Sequence, residues 1–227
     1  SPDGKELAFI QDRRKLMVMN LESKKVRQIT DGTLWHSTGG GFDYAWSPDG
    51  KWFTLEFIGN KHDPYSDIGI VSAQGGKITN LTNSGYTSGY PAWTMDGNAI
   101  LFTSERYGMR NHASWGSMED VFLCFVNQDA YDKYRLSKED YELLKEVEKE
   151  QEKLKKEEKK DDKKESDQKE EKADKDIVIE LEGIQDRIVR LTPNSSTLGY
   201  AIIDKKGENL YYTAAFEDAY DLWKINL

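Results

Sequence analysis

The side chains most often used in catalysis are few in this sequence and widely spaced. Its three histidines are His36, His62 and His112, and no two of them have the spacing of a metal-binding pair. Ser37 follows His36, but adjacent residues rarely act as nucleophile and base for each other. The single cysteine, Cys124, lies in an apolar run typical of a buried strand, which favours an inert thiol. We therefore predict no catalytic residue, no metal site and no cofactor site in this chain.

Sequence motifs of common enzyme classes are also absent. The sequence has no Gly-x-Ser-x-Gly nucleophile elbow, no Walker loop and no Gly-x-Gly-x-x-Gly fingerprint. The glycine run 39–41 does not lead from a strand into a helix. Asp63, Tyr65 and Asp67 share one predicted loop, but they offer too few ligands for calcium, and a capped turn is the better interpretation.

Two basic segments are better candidates for binding than for catalysis. Arg13 and Arg14 lie at a predicted hairpin, where a guanidinium could bind a peptide carboxylate, and an ordinary exposed turn is the alternative. The segment 106–117 is rich in aromatic and basic side chains and is the best candidate for a contact surface, with an internally packed loop as the alternative. The net charge of −9 gives no electrostatic support to nucleic-acid binding.

A repeated turn indicates which elements must position these residues. Ser-Pro-Asp-Gly-Lys at 1–5 recurs at 47–51, with a degraded copy at 94–98 and a looser one at 204–209. The first three turn glycines are 46 and then 47 residues apart, a period that suits a four-stranded propeller blade. Proline presets φ in such a turn, Asp caps it, and Gly accepts the positive φ that closes it.

Around each turn, β-branched and aromatic runs bounded by Gly, Asp, Asn and Pro predict strands. We therefore predict an all-β fold, a β-propeller fragment of about four complete or partial four-stranded blades with a charged, partly helical insertion. The predicted blades are residues 1–30, 43–82, 90–192 and 199–227. The first blade lacks its first strand and the last lacks its fourth, which predicts a piece of a longer protein.

The insertion is predicted at residues 127–176, within the third blade. Ser137 with Asp140 three residues later predicts a helix N-cap. An apolar stripe at helical spacing follows in Tyr141, Leu144, Val147 and Leu154. Nearly every side chain from Lys145 to Asp176 is charged, which predicts a solvated helix that frays into a disordered tail.

A further strand is predicted at 176–183, after the charged run. Because the first and third connections of a blade leave from the same edge, the insertion should project from the face that carries the repeated turns. One interpretation is a tolerated loop expansion. The other is a docking arm for a partner or a sister subunit.

The repeats at 1–9 (SPDGKELAF) and 46–53 (WSPDGKWF) resemble the propeller repeat shared by TolB-like proteins and tricorn-type proteases. The stretches 106–117, 127–137 and 183–192 resemble more specifically the N-terminal propeller of bacterial tricorn-like serine peptidases, so the resemblance covers essentially the whole chain. The third turn departs from that pattern, with Thr94 and Met95 in place of Ser-Pro, and the fourth has one extra residue.

This resemblance implies a role in proteolysis without catalysis by this chain. In that family the propellers guide or filter peptides toward a separate C-terminal serine protease domain, and no position here matches the catalytic motif of that domain. The implied partners are peptides or unfolded polypeptide and the protease domain of the same polypeptide, with a homo-oligomer left open. The alternatives are a TolB-like protein-interaction scaffold and the propeller of a prolyl-oligopeptidase-type enzyme.

No apolar run approaches the ~20 residues of a membrane span, and the sequence leaves both cytoplasm and periplasm open as the compartment.

Overall fold

The chain forms small antiparallel sheets that follow one another in sequence. The computed structural model describes residues 1–32, 34, 42–59, 61, 63–110, 116–161 and 176–227. The strands in these residues are β1 (Glu6–Gln11), β2 (Lys15–Asn20), β3 (Val26–Gln28), β4 (Tyr44–Trp46), β5 (Trp52–Phe57), β6 (Asp67–Ser72), β7 (Thr79–Asn80), β8 (Ser88–Thr94), β9 (Ala99–Ser104), β10 (Asp120–Phe125), β11 (Ile188–Arg190), β12 (Thr197–Ile203), β13 (Asn209–Ala215) and β14 (Tyr220–Asn226). The helices are α1 (Gln128–Tyr134) and α2 (Lys138–Asp161).

The four sheets are β1–β3, β4–β7, β8–β11 and β12–β14, each with its strands in chain order. All paired strands in the described residues are antiparallel, as in the blades of a propeller. The predicted all-β propeller-fragment fold is therefore confirmed.

The repeated turn is held by side-chain hydrogen bonds within the motif. Asp49 Oδ1 accepts bonds from Ser47 Oγ (2.5 Å) and from the Lys51 amide (3.1 Å), while Ser47 Oγ accepts the first amide of β5 (2.9 Å). Residues 1–6 repeat the same three bonds. Gly50 closes the turn at φ +68°, in the left-handed region that favours glycine. The local sequence alone therefore specifies this turn.

The third turn differs because it has no proline to preset φ. Its residues Met95–Gly97 form a short 3₁₀ turn, in which Met95 and Asp96 both adopt positive φ values, 51° and 52°. The fourth turn is capped by Asp204, which accepts bonds from the Glu208 amide (3.0 Å) and from the side chain of Asn209 (2.5 Å).

Gly50→Val should lower the free energy of unfolding by roughly 1–3 kcal/mol, because a β-branched residue resists positive φ. Urea denaturation of the purified chain measures this loss. Gly85→Val is the matched control, since Gly85 does not have a positive φ and nothing lies within 4 Å of the added Cβ. Equal losses in the two variants would contradict the assigned turn.

Adjacent sheets pack face to face over three apolar clusters. Leu16, Val18, Ile29, Phe53, Leu55 and Val71 fill the space between the first and second sheets. Ile68, Ile70, Ile100, Phe102, Phe122 and Cys124 fill the space between the second and third. Leu101, Leu123, Phe125, Leu210 and Tyr212 fill the space between the third and fourth. Since alternate side chains of β9 and β10 point to opposite faces, the third sheet is covered on both sides.

The insertion lies in the connection between β10 and β11. Helix α1 is N-capped by Asn127, whose Oδ1 accepts the Ala130 amide (2.8 Å). Helix α2 follows Ser137, whose Oγ accepts the Asp140 amide (3.1 Å), so the predicted N-cap is confirmed. The tail predicted from the charged run continues into residues 162–175, which lie outside the described residues. None of the helices in the described part of the chain is long and apolar enough to cross a membrane.

The strand predicted at 176–183 is wrong. These residues are not part of any sheet, because they run past the end of β10, whose own edge pairs with β11. The Ile177 amide bonds to Asp49 Oδ2 (3.0 Å) and the Glu180 amide to the Val126 carbonyl (2.8 Å). We call residues 176–184 the strap.

The strap crosses the repeated turns of the second and third sheets. Asp176 forms an ion pair with Lys51 in the second turn, and Ile177 packs on Gly97 in the third. At the other end of the insertion, Asn127 Nδ2 donates to Asn98 Oδ1 (3.1 Å). The insertion therefore leaves and returns on the turn-bearing face, as predicted.

Candidate functional site

The two basic segments lie on the face opposite the repeated turns. Neighbouring strands in each sheet run in opposite directions. The connections β1–β2, β5–β6, β9–β10 and β13–β14 therefore lie at one end of the sheets, here called the hairpin face. Arg13 and Arg14 lie in the β1–β2 hairpin, as predicted, and the segment 106–117 lies in the β9–β10 connection. Both basic segments are thus on the hairpin face.

A groove of about 1220 Å³ opens between the first and second sheets. Its charged lining residues in the described part of the chain are Arg14, Lys61, Lys77, Asp31 and Asp63, and its apolar lining residues include Phe57, Ile58 and Ile78. Arg14 therefore borders a concave surface as well as an exposed turn. A cation beside apolar surface is a suitable partner for a carboxylate.

The loop at 63–67, considered above as a calcium site, contains a buried aspartate that caps a turn. Asp67 is 2% exposed and accepts bonds from Asn80 Nδ2 (2.8 Å), Thr82 Oγ1 (2.8 Å) and the Ser84 amide (3.0 Å). Asp63, in contrast, faces the groove. Among the described residues, no three His, Cys, Asp or Glu side chains are grouped as metal ligands.

A strained segment marks the first strand of the third sheet. First strands lie nearest the axis of a propeller, and β8 indeed contacts β4 and β5 of the preceding sheet. The pairing of β8 with β9 shifts between Gly89 and Ala92, and within this bulge Tyr90 adopts φ 55° with its side chain 66% exposed. A residue other than glycine in this region usually signals a structural constraint.

The constraint is Glu56 on β5. Its Oε1 accepts the Tyr90 amide at 2.7 Å, which joins the second sheet to the bulge of the third. A Cβ at position 89 would lie 2.7 Å from the same oxygen, so Gly89 permits this close approach. Burial raises the pKa of Glu56 to about 7.

Other acidic and aromatic side chains surround this contact. The Asp43 amide lies 3.4 Å from Glu56 Oε2, and the neighbouring Glu119 has its pKa raised by burial. Tyr200, on β12, lies in a second bulge and is 87% exposed. We call Asp43, Glu56, Tyr90, Glu119 and Tyr200 the inner-wall cluster. In the sequence this cluster is marked only by the Gly-Tyr pairs at 89–90 and 199–200, and the same pair also occurs at 85–86.

The candidate contact segment 106–117 packs on the third sheet through Tyr107. Tyr107 stacks on Phe122, with centroids 6.0 Å apart, and the guanidiniums of Arg106 and Arg190 lie 5.5 and 5.2 Å from its ring centre. Met109 is 67% exposed. Residues 111–115 lie outside the described residues, so the role of this segment as a contact surface stays a prediction.

The side chains considered for catalysis fall mostly outside the described part of the chain. His36, Ser37, His62, His112 and the glycine run 39–41 all lie outside the described residues. Cys124 is 1% exposed in the middle of β10, and burial raises its pKa to about 12. The buried strand predicted around Cys124 is therefore confirmed, and the inertness of its thiol stays a prediction.

Comparison with known proteins supports the fold more strongly than the function. No family model matches the chain. It is 30% identical over 109 residues to an uncharacterized peptidase, YuxL, of Bacillus subtilis (strain 168), a match that covers 45% of this chain and 16% of that protein. The chain thus spans less than a fifth of that relative.

Solved structures match the whole chain at low identity. Tricorn protease superimposes with a TM-score of 0.61 at 12% identity, over 100% of this chain and 21% of that one. TolB from Acinetobacter baumannii superimposes with a TM-score of 0.53 at 15% identity, over 99% and 39%. The resemblance stated from the sequence is confirmed at the level of fold: this chain has a β-propeller fold of the kind found in tricorn protease and TolB.

Proposed function

We propose that this chain is a non-catalytic propeller segment of a tricorn-like serine peptidase, and that it guides or filters peptides toward a separate C-terminal protease domain. The groove between the first and second sheets carries the proposal. It is large enough for an extended peptide segment, and it sets cationic groups beside apolar surface. The fold of tricorn protease and the partial likeness to a peptidase support the same function.

Within the groove, Arg14 would bind the peptide's terminal carboxylate. A guanidinium offers two parallel donors to a carboxylate, which a single ammonium does not. Lys61 and Lys77 add positive charge along the same groove. A chain that selects termini in this way would favour short peptides over folded proteins, whose C-termini are less accessible.

The inner-wall cluster would make a second contact with a passing peptide. Tyr90 and Tyr200 expose large rings, which supply contact area at little cost in side-chain entropy. The carboxyl groups of Asp43, Glu56 and Glu119 lie beside these rings and would accept hydrogen bonds from a passing peptide. The two sites together would favour short peptides with a free C-terminus.

Arg14→Ala should weaken the binding of a short unstructured peptide with a free C-terminus by about threefold to tenfold. Fluorescence anisotropy with a labelled peptide measures this change, and mass spectrometry should show the peptide uncut. Lys5→Ala is the matched control, because Lys5 is an exposed cation on the turn-bearing face. The C-terminally amidated peptide should bind the unchanged chain as weakly as the free acid binds Arg14→Ala. Equal affinity for acid and amide would contradict the proposal.

Two other functions share the same fold. The likeness to TolB favours a protein-interaction scaffold, which predicts binding to a folded partner and a full-length protein without a hydrolase domain. The likeness to a peptidase is also compatible with a prolyl-oligopeptidase-type enzyme, which predicts an α/β-hydrolase domain with a nucleophile elbow. Sequencing the complete gene product distinguishes all three.

A further inference from the structure

Helix α2 turns one face toward the rest of the protein. Lys145 Nζ donates to Glu208 Oε1 in the fourth turn at 2.5 Å, and Lys133 of α1 donates to Glu148 at 2.8 Å. The ring of Tyr141 lies 4.4 Å from the Lys145 ammonium and 5.9 Å from that of Lys133. These contacts fix the rotation of α2 about its axis and so determine which residues it presents to solvent.

The solvent-facing side of α2 carries an apolar stripe. Leu143, Val147 and Leu154 are 60%, 48% and 59% exposed. Their spacing of four and seven residues places them on one side of the helix, in the a and d positions of a heptad, with Glu150 at the d position between. An aligned row of exposed aliphatic side chains on an otherwise charged helix is typical of a surface that another helix covers. We call these three residues the α2 stripe.

We propose that the α2 stripe is the contact between two copies of this chain, whose α2 helices pack antiparallel. In the register that opposes Leu143 to Leu154 of the second copy, Val147 lies opposite Glu150. The same register brings Glu146 beside Lys153 of the second copy, and two-fold symmetry repeats this pair. Glu146 of each copy thus lies beside Lys153 of the other. This charge complementarity favours a second copy of the chain as the partner of the stripe.

A parallel arrangement fits the same residues less well. It would place Glu150 of one copy directly against Glu150 of the other in the seam, where like charges are desolvated together. The antiparallel register offsets these two carboxylates along the helix axis. The stripe is only about 16 Å long at 1.5 Å per residue, so the contact falls below the ~1,200 Å² of a standard interface. We therefore expect a weak dimer that depends on concentration and does not depend on the proposed peptide binding.

Sedimentation equilibrium of the 227-residue chain, from about 1 µM to about 1 mM, should show the mass rise from monomer to dimer. Leu143→Glu should remain monomeric over the whole range. Circular dichroism checks that this variant keeps its fold. A chain that stays monomeric at the highest concentration would overturn the proposal.

Cysteine cross-linking tests the direction of packing independently of affinity. The double variant Leu143→Cys/Leu154→Cys should form covalent dimers on mild oxidation, because the two positions face each other between copies. Leu143→Cys alone should not, since an antiparallel pair separates its two copies by about 16 Å, beyond the ~7 Å reach of a disulfide. Glu142→Cys/Lys149→Cys, on another side of α2, is the matched control. Buried Cys124 takes no part. Cross-linking of Leu143→Cys alone as fast as the double variant would overturn the antiparallel arrangement.

Discussion

Asp120→Ala should lower the free energy of unfolding by about 3–5 kcal/mol, the largest loss that we predict for a single substitution. The Asp120 side chain is fully buried and accepts bonds from Arg190 Nη2 (2.8 Å), Thr192 Oγ1 (2.8 Å) and Ser195 Oγ (2.7 Å). Alanine would remove the ion partner of Arg190 and the acceptor of the buried Thr192 hydroxyl. Urea denaturation followed by tryptophan fluorescence measures the loss.

Two further variants make this experiment specific. Asp218→Ala, at an exposed position in the β13–β14 hairpin, should change stability by less than about 0.5 kcal/mol. Asp67→Ala should resemble Asp120→Ala, because Asp67 is equally buried and accepts from Thr82 in the same way. A loss in Asp120→Ala no larger than that in Asp218→Ala would contradict the assigned role.

A threonine two residues after the last strand bonds to the third blade strand in three of the sheets. In two of these sheets it also bonds to an aspartate. Thr30, Thr82 and Thr192 each accept, through Oγ1, the amide at the start of the third strand in a propeller blade. In the second and third sheets that hydroxyl also donates to an aspartate, whereas Lys15 occupies the corresponding position in the first. In the sequence each of these threonines follows Ile or Leu, at 29–30, 81–82 and 191–192. The sequence did not show their partner, because Asp120 is 72 residues from Thr192.

Features that depend on local chemistry were predictable from the sequence. The Ser-Pro-Asp-Gly-Lys turn carries its own capping bonds, so its recurrence predicted the sheets, their order and the face from which the insertion projects. The strand predicted at 176–183 failed because a β-branched run such as Ile177 to Ile179 forms a strand only beside a free edge. The strap bonds to a turn cap instead, because the Ile177 amide donates to Asp49.

The inner-wall cluster was not predictable for a different reason. The bond from Tyr90 to Glu56 joins residues 34 apart in two sheets, and it requires a bulge whose position depends on the packing of both. An isolated Glu on an amphipathic strand looks like an exposed charge. The Gly-Tyr pair at 89–90 indicates at most a flexible point in the strand.

Glu56 should make the protein less stable as pH rises from about 5 to about 8. Its pKa in the folded chain is about 7, above the ordinary value of 4.5, because burial disfavours the charged form. The folded state therefore binds more protons than the unfolded state between these values. The stabilisation is complete below pH 4.5 and is lost as pH rises through 7, by about 3 kcal/mol in total.

Glu56→Gln should remove most of this dependence, because the amide keeps an acceptor for Tyr90 and never ionises. We expect equal stabilities of variant and unchanged chain near pH 5, and a variant more stable by roughly 1–3 kcal/mol near pH 8, from urea denaturation at both pH values. Glu22→Gln, at an exposed turn, is the matched control and should leave the dependence intact. Part of the slope should persist in Glu56→Gln, since burial also raises the pKa of Glu119, and Glu119→Gln should remove that part. A Glu56→Gln chain with the full original dependence would show that this carboxyl group is ionised in the folded state at neutral pH.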